Sequence, residues 1–222
     1  MESRRDHLKR LLAAGAVGGL GGWAHAVHAM LADRQVSGGF HRLVGEVRLN
    51  GRPARIGEPV RAGDSVTTGA DGEAVYVIGR DAFLQRADSE TGFGGETAVA
   101  FFRLVTGALL SVFGPGRRNL KTPVATIGIR GTACYLEAQP RRTYFCLCYG
   151  RAELVPDADP GHVELLETRH HDHPLYLNHD AGLPMMVDAE LVNHTDAELE
   201  RLEALCARVP PFTGAPGMMR KG

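Results

Sequence analysis

Cys134, Cys146 and Cys148 crowd into one short stretch of the chain, and His170, His171 and His173 surround Asp172 a little more than twenty residues later. Thiolate and imidazole are the donors that zinc and copper prefer, so these six residues form a candidate soft-metal centre. On a strand His171 and His173 would share a face, at a separation suited to two ligands of one ion. The same thiols admit other readings. A disulfide from Cys134 to either Cys146 or Cys148 would suit an oxidising compartment. Cys146 and Cys148, two apart on one strand, cannot close the S–S geometry with each other. Buried free thiols, packed as small apolar groups, are the third reading. A redox-active pair lacks the supporting C-x-x-C spacing. Cys206 falls on an apolar helix stripe and reads as packing.

Positioning these groups falls to a hairpin. Thr132 to Ala138 and Thr143 to Tyr149 are rich in Thr, Tyr, Phe, Leu and Cys, with Gln139-Pro140-Arg141 between them as a turn. A three-residue loop 139–141 sets Ala138 against Arg142 and Cys134 against Cys146, with Cys148 diagonal on the same face. Three thiols then converge, and a shift of one residue would move Cys134 to the opposite face. Further strands are expected at Leu43 to Val47, Pro59 to Thr67, Ala74 to Gly79 and Ala82 to Gln85, with a turn at Asn50-Gly51. Asp88 to Thr97 reads as a surface loop. Val99 to Phe113 reads as two strands around Gly107, and Gly114-Pro115-Gly116 as a turn. After Pro156 to Gly161 come strand-like segments at His162 to Thr168, Leu175 to Leu177 and Pro184 to Val187. Thr195 to Glu198 is a capping box opening a helix whose stripe is Leu199, Leu202, Cys206 and Val209. The fold class expected is an all-β core, as a sandwich, a partly closed barrel or a short β-helix, with a C-terminal α-helix.

The run Thr122-Pro123-Val124-Ala125-Thr126-Ile127-Gly128-Ile129-Arg130-Gly131-Thr132 resembles the signature of the FecR domain, the extracytoplasmic domain of regulators that include those of ferric-citrate uptake. The segments Val44 to Val47, Gly57 to Gly69 and Asp71 to Ala74 are similar to that family's opening, so the resemblance spans about residues 44 to 155. It implies a non-catalytic binding or signalling module whose partner is another envelope protein. Gly128, Arg130 and Gly131 read as a backbone device, with Arg130 pairing to a carboxylate or carbonyls of the domain. The regulators carry a cytoplasmic segment and a membrane helix ahead of this domain; a short export-type segment stands there in this chain, so direct sigma-factor control is not implied.

Arg4 and Arg5 precede a glycine-rich, weakly apolar run from Leu11 to Trp23 and small residues near Ala24 to Ala29, the order of a twin-arginine export signal. The chain is therefore expected in the periplasm, touching membrane only through an uncleaved signal. With 25 Lys and Arg against 26 Asp and Glu, the net charge is −1, and removal of residues 1–29 makes it more negative, which disfavours nucleic acid as a partner. No nucleophile elbow, phosphate-cradling loop, paired catalytic carboxylates or zincin motif is present, so no enzyme is expected. The expected division is a signal at 1–29, the β domain at 43–155, an extension with the histidines at 156–192, the helix at 193–210 and a disordered tail at 211–222.

Overall fold

The computed structural model describes residues 37–94, 101–180 and 182–213. The export signal of Arg4 and Arg5 lies outside the described residues, as does most of the expected tail. Fourteen strands are present among the described residues: β1 Gly39–Val44, β2 Val47–Leu49, β3 Arg52–Pro53, β4 Ser65–Thr68, β5 Glu73–Ile78, β6 Asp81–Gln85, β7 Glu90–Gly94, β8 Phe101–Val112, β9 Arg117–Lys121, β10 Ala125–Gln139, β11 Arg142–Pro156, β12 Glu164–Thr168, β13 Leu175–Asn178 and β14 Met186–Asp188. One helix follows, α1 at Asp196–Leu205. The class is thus an all-β core with a C-terminal helix, and the sheet does not close into a barrel.

Three long strands organise the rest. Residues 107–112 of β8 pair with β6 and with residues 133–138 of β10, which pair in turn with the first half of β11. β13, β14, β5 and β1 extend this half of the sheet. The other ends of the same strands, 101–106, 125–130 and 150–156, join β7, β9, β12, β4, β2 and β3. Each long strand therefore belongs to both halves and bends between them. The bends fall at Gly107, Gly131 and Gly150, with φ of 84°, 58° and 97°. Side-chain alternation changes parity at each: Phe102 and Leu104 but then Leu109 and Phe113 face the main core, Ile127 and Ile129 but then Cys134 and Leu136, Leu147 but then Ala152 and Leu154. An extra residue at a bulge has this effect, and it keeps the apolar side inward after the sheet turns.

The two halves face each other across an aromatic core in which Phe83 of one half meets Phe93 and Phe102 of the other at 5.5 and 5.7 Å. A second apolar cluster lies on the outer face of the first half, where Val75, Val77, Leu84, Leu110, Val112 and Tyr135 are covered by Leu199 and Leu202 of α1.

Several expectations change. Val99 to Phe113 is one strand bent at Gly107 rather than two, because the bend transfers the strand between halves without breaking it. Residues 90–94 of the expected loop form β7, held by pairing to β4 and β8. The strand-like segments expected after residue 161 do add to the sheet, as β12, β13 and β14. The helix spans 196–205 with Cys206 as its C-cap, and Val209 is 71% exposed instead of completing the stripe.

Candidate metal centre

The hairpin turn holds two residues, Pro140 and Arg141, with Gln139 opposite Arg142. Proline fits the first turn position with its fixed φ, and this shorter loop moves the register by one. Cys134 consequently faces Leu147, and Tyr135 faces Cys146. Cys134 points into the main core, whereas Cys146 and Cys148 point to the outer face beneath α1. The expected convergence of three thiols is corrected to two, and a disulfide from Cys134 to either is excluded by the opposed faces. All four cysteines are free and buried.

Two histidines complete the cluster. The chain after β12 makes no strand at 169–174: it bends, and His171 takes a left-handed φ of 51° while its backbone N–H donates to the Cys148 carbonyl at 3.0 Å. The bend delivers the His171 ring to the thiols. His173 instead lines a surface groove with Glu164, Leu166 and Asp188, and His170 bonds to Asp196, so neither joins the cluster of donors around the thiols. The fourth member, His194, was not foreseen. It precedes the Thr195 N-cap, and its ring stacks on Tyr135 with centroids 4.6 Å apart. Tyr144 ties the approach to it, donating its hydroxyl to the Glu190 carbonyl and accepting from the Val192 N–H. Arg86 secures the helix start through Glu198 at 2.7 Å and the Asn193 carbonyl at 3.1 Å.

The donor atoms of Cys146, Cys148, His171 and His194 all lie within 4.8 Å of one another. His171 Nδ1 is 3.4 Å from Cys146 Sγ and 3.2 Å from His194 Nε2. A tetrahedral zinc ion with metal–sulfur bonds of ~2.3 Å and metal–nitrogen bonds of ~2.0 Å requires edges of about 3.5 Å and about 3.3 Å. These two edges match those of one ion. The far nitrogens are already committed: His194 Nδ1–H donates to the Val192 carbonyl at 2.7 Å, and His171 Nε2–H donates to Asp196 Oδ1 at 3.2 Å. Carbonyl and carboxylate oxygens only accept, which leaves His171 Nδ1 and His194 Nε2 as lone pairs facing each other. Two such nitrogens beside two sulfurs form a set that either a shared proton or a metal ion can bridge. Oxygen partners behind each imidazole are the usual outer shell of a metal-bound histidine. His170 Nε2–H shares the same Asp196 oxygen at 2.8 Å.

Electrostatics divide across the cluster, preparing Cys146 as a thiolate while keeping protons on Cys148 and His171. The hydrogen bond from Cys148 and the His171 and His194 rings hold the Cys146 thiol well below its ordinary range, against burial. Burial, reinforced by Cys146, pushes the Cys148 thiol up. Burial alone would lower His171, but Cys146 and Asp196 raise it.

No protein-family model matches the chain, and no curated protein matches it. Two crystal structures of a protein from Parabacteroides distasonis, assigned as an anti-sigma factor, are similar at 11% identity and a TM-score of 0.46, over 56% of this chain and 58% of theirs. The chain thus spans less than two thirds of those structures, and likeness at that level carries no argument about function.

Cys146, His171 and Asp196 also stand in the order of a nucleophile, base and orienting acid. Cys146 is fully buried, however, and lines neither the groove at His173 nor the depression beside Arg130. Of the FecR-like signature, Thr122 closes a turn by accepting from the Ala125 N–H at 3.1 Å, and Pro123 stands within that turn. Thr132 is buried beside the Gly131 bend. Arg130 is exposed and makes no ion pair or side-chain hydrogen bond among the described residues, against the expected internal partner.

Proposed function

We propose that this chain is a non-catalytic metal-holding β module in which Cys146, Cys148, His171 and His194 bind one zinc ion. The carrying observation is the convergence of two thiols with two imidazole nitrogens whose opposite nitrogens are both bonded to oxygen. Four protein donors fill a tetrahedral shell and leave no position for water or substrate, which is the pattern of a structural rather than a catalytic ion. Copper is the competing ion for this donor set, and zinc is favoured by the closed N2S2 shell without an axial thioether. The ion joins β11, the bend after β12 and the segment leading into α1, so it fastens the helical cover to the sheet. The N-terminal arginines and the FecR-like signature support a site of action in the periplasm, with another envelope protein as the partner.

Cobalt substitution tests the centre. Cobalt(II) added to metal-free protein should give the intense visible bands of a tetrahedral thiolate site at one equivalent, abolished by zinc and absent in Cys148→Ser and His194→Ala. A pale octahedral spectrum, or a spectrum unaltered by those substitutions, would overturn the assignment.

A further inference from the structure

The signature residue Arg130 remains without a structural role, and its neighbours suggest one. Across β9, β10 and β11 the register places Arg117 directly opposite Arg130 and Arg130 directly opposite Arg151. Three guanidinium groups therefore stand side by side on the exposed face of the second half of the sheet. Like charges in direct cross-strand pairing repel. Arg117 reaches Glu153 only at 4.0 Å, Arg151 meets Glu167 at 3.1 Å, and Arg130 between them has no acid among the described residues. A row that is self-repelling and one acid short is relieved by carboxylates brought from outside.

The adjoining row runs Phe101, Asn119, Gly128, Glu153 and Leu165. Phe101 is 40% exposed and Leu165 74% exposed. At its centre Gly128 has no positive φ, and a Cβ there would meet only Glu153, its Cβ at 3.7 Å and its carbonyl oxygen at 3.9 Å, both ordinary contacts. Neither backbone conformation nor crowding demands glycine. A glycine inside a strand with open space above it lets a partner approach closely. The result is a shallow depression of about 320 Å³ lined by Arg117, Gly128, Arg130, Arg151, Glu153 and Leu165.

We propose that this face docks an acidic amphipathic helix of a protein partner, laid across the strands along the arginine row. Spacing selects the helix. Strands lie about 4.8 Å apart, so the outer arginines are separated by about 9.6 Å. Carboxylates at i, i+4 and i+7 on one helix face span about 10.5 Å at a rise of ~1.5 Å per residue. Gly128 admits an apolar side chain of the helix between Asn119 and Glu153, and Phe101 and Leu165 offer apolar contacts at the two ends of the row. This surface is independent of the metal centre, which lies on the outer face of the other half.

The test is fluorescence anisotropy of full-length protein with a synthetic helical peptide carrying Glu at i, i+4 and i+7 beside a leucine stripe. Saturable binding is expected, weakened about tenfold or more by Arg130→Glu and by Gly128→Leu, and unaffected by Cys148→Ser. The triple variant R117E/R130E/R151E should bind the same peptide with Lys in place of Glu. No binding, equal binding of a scrambled peptide, Arg130→Glu binding at wild-type strength, or failure of the charge-reversed pair to bind would each overturn the proposal. Tighter Arg130-dependent binding to anionic phospholipid vesicles or heparin would overturn it in favour of those surfaces.

Discussion

Cys146 and Cys148 do one thing and Cys134 another, and the difference is one residue of register. Cys148→Ser and His194→Ala should each abolish retention of the ion in purified protein, whereas Cys134→Ala should retain one equivalent, as measured by elemental analysis. Protons give a second prediction. Burial keeps the Cys148 thiol protonated and Asp196 with Cys146 favours a charged His171, so both shed protons when the ion binds. Affinity should therefore climb with pH and fall on acidification, with proton release detectable by calorimetry in buffers of different ionisation enthalpy. Sequence made the thiols and His171 legible, because thiolate and imidazole clusters are conspicuous by type. It could not place Cys134, since a loop of two or three residues is equally compatible with Gln139-Pro140-Arg141. His194 was illegible for a different reason: an isolated histidine before a helix cap has no periodicity or spacing that marks it.

At the level of elements, glycines at the strand bends carry the architecture. A Cβ at Gly107 would lie 2.1 Å from Ser89 Oγ and 2.6 Å from the Asp88 carbonyl, and one at Gly150 would lie 2.6 Å from Thr132 Cγ2, both at positive φ. Gly107→Ala and Gly150→Ala should each lower unfolding free energy by at least about 2 kcal/mol in denaturant titrations, whereas Gly51→Ala, at positive φ but in open space, should cost only about 1 kcal/mol. The capping box at Thr195 and Glu198 was legible and forms as read, both side chains bonding back to the opposite backbone. The positions of β5, β6, β12 and β13 were legible too, from apolar alternation, whereas β7 and β9 were not, and the strand expected at Pro59 to Thr67 begins only at Ser65. Strand lengths were not legible: β10 and β11 run fifteen residues each, because bulges at glycine let a strand continue where a sequence reader sees a break. The helix ends earlier than its apolar stripe suggests, since Ala207 turns left-handed at φ 54° just beyond Cys206.

For the molecule as a whole, an all-β body with a terminal helix was foreseen, but its topology was not, because long-range pairing leaves little local trace. A bound ion would give the fold a dependence on metal that the sheet itself does not have. Cys146 and Cys148 belong to the outer apolar cluster, while His171 and His194 come from the bend and the approach to α1 that cover it, so chelation should loosen the cover more than the core. Amide exchange after metal removal should accelerate at 169–174 and 189–206, with β6, β8 and β10 remaining protected. The central claim is most directly tested by native mass spectrometry of the full chain recovered without chelator, repeated after thiol alkylation in denaturant. One zinc per chain, with every cysteine alkylated, is the predicted result. A metal-free mass, or a mass showing a disulfide among Cys134, Cys146 and Cys148, would contradict it.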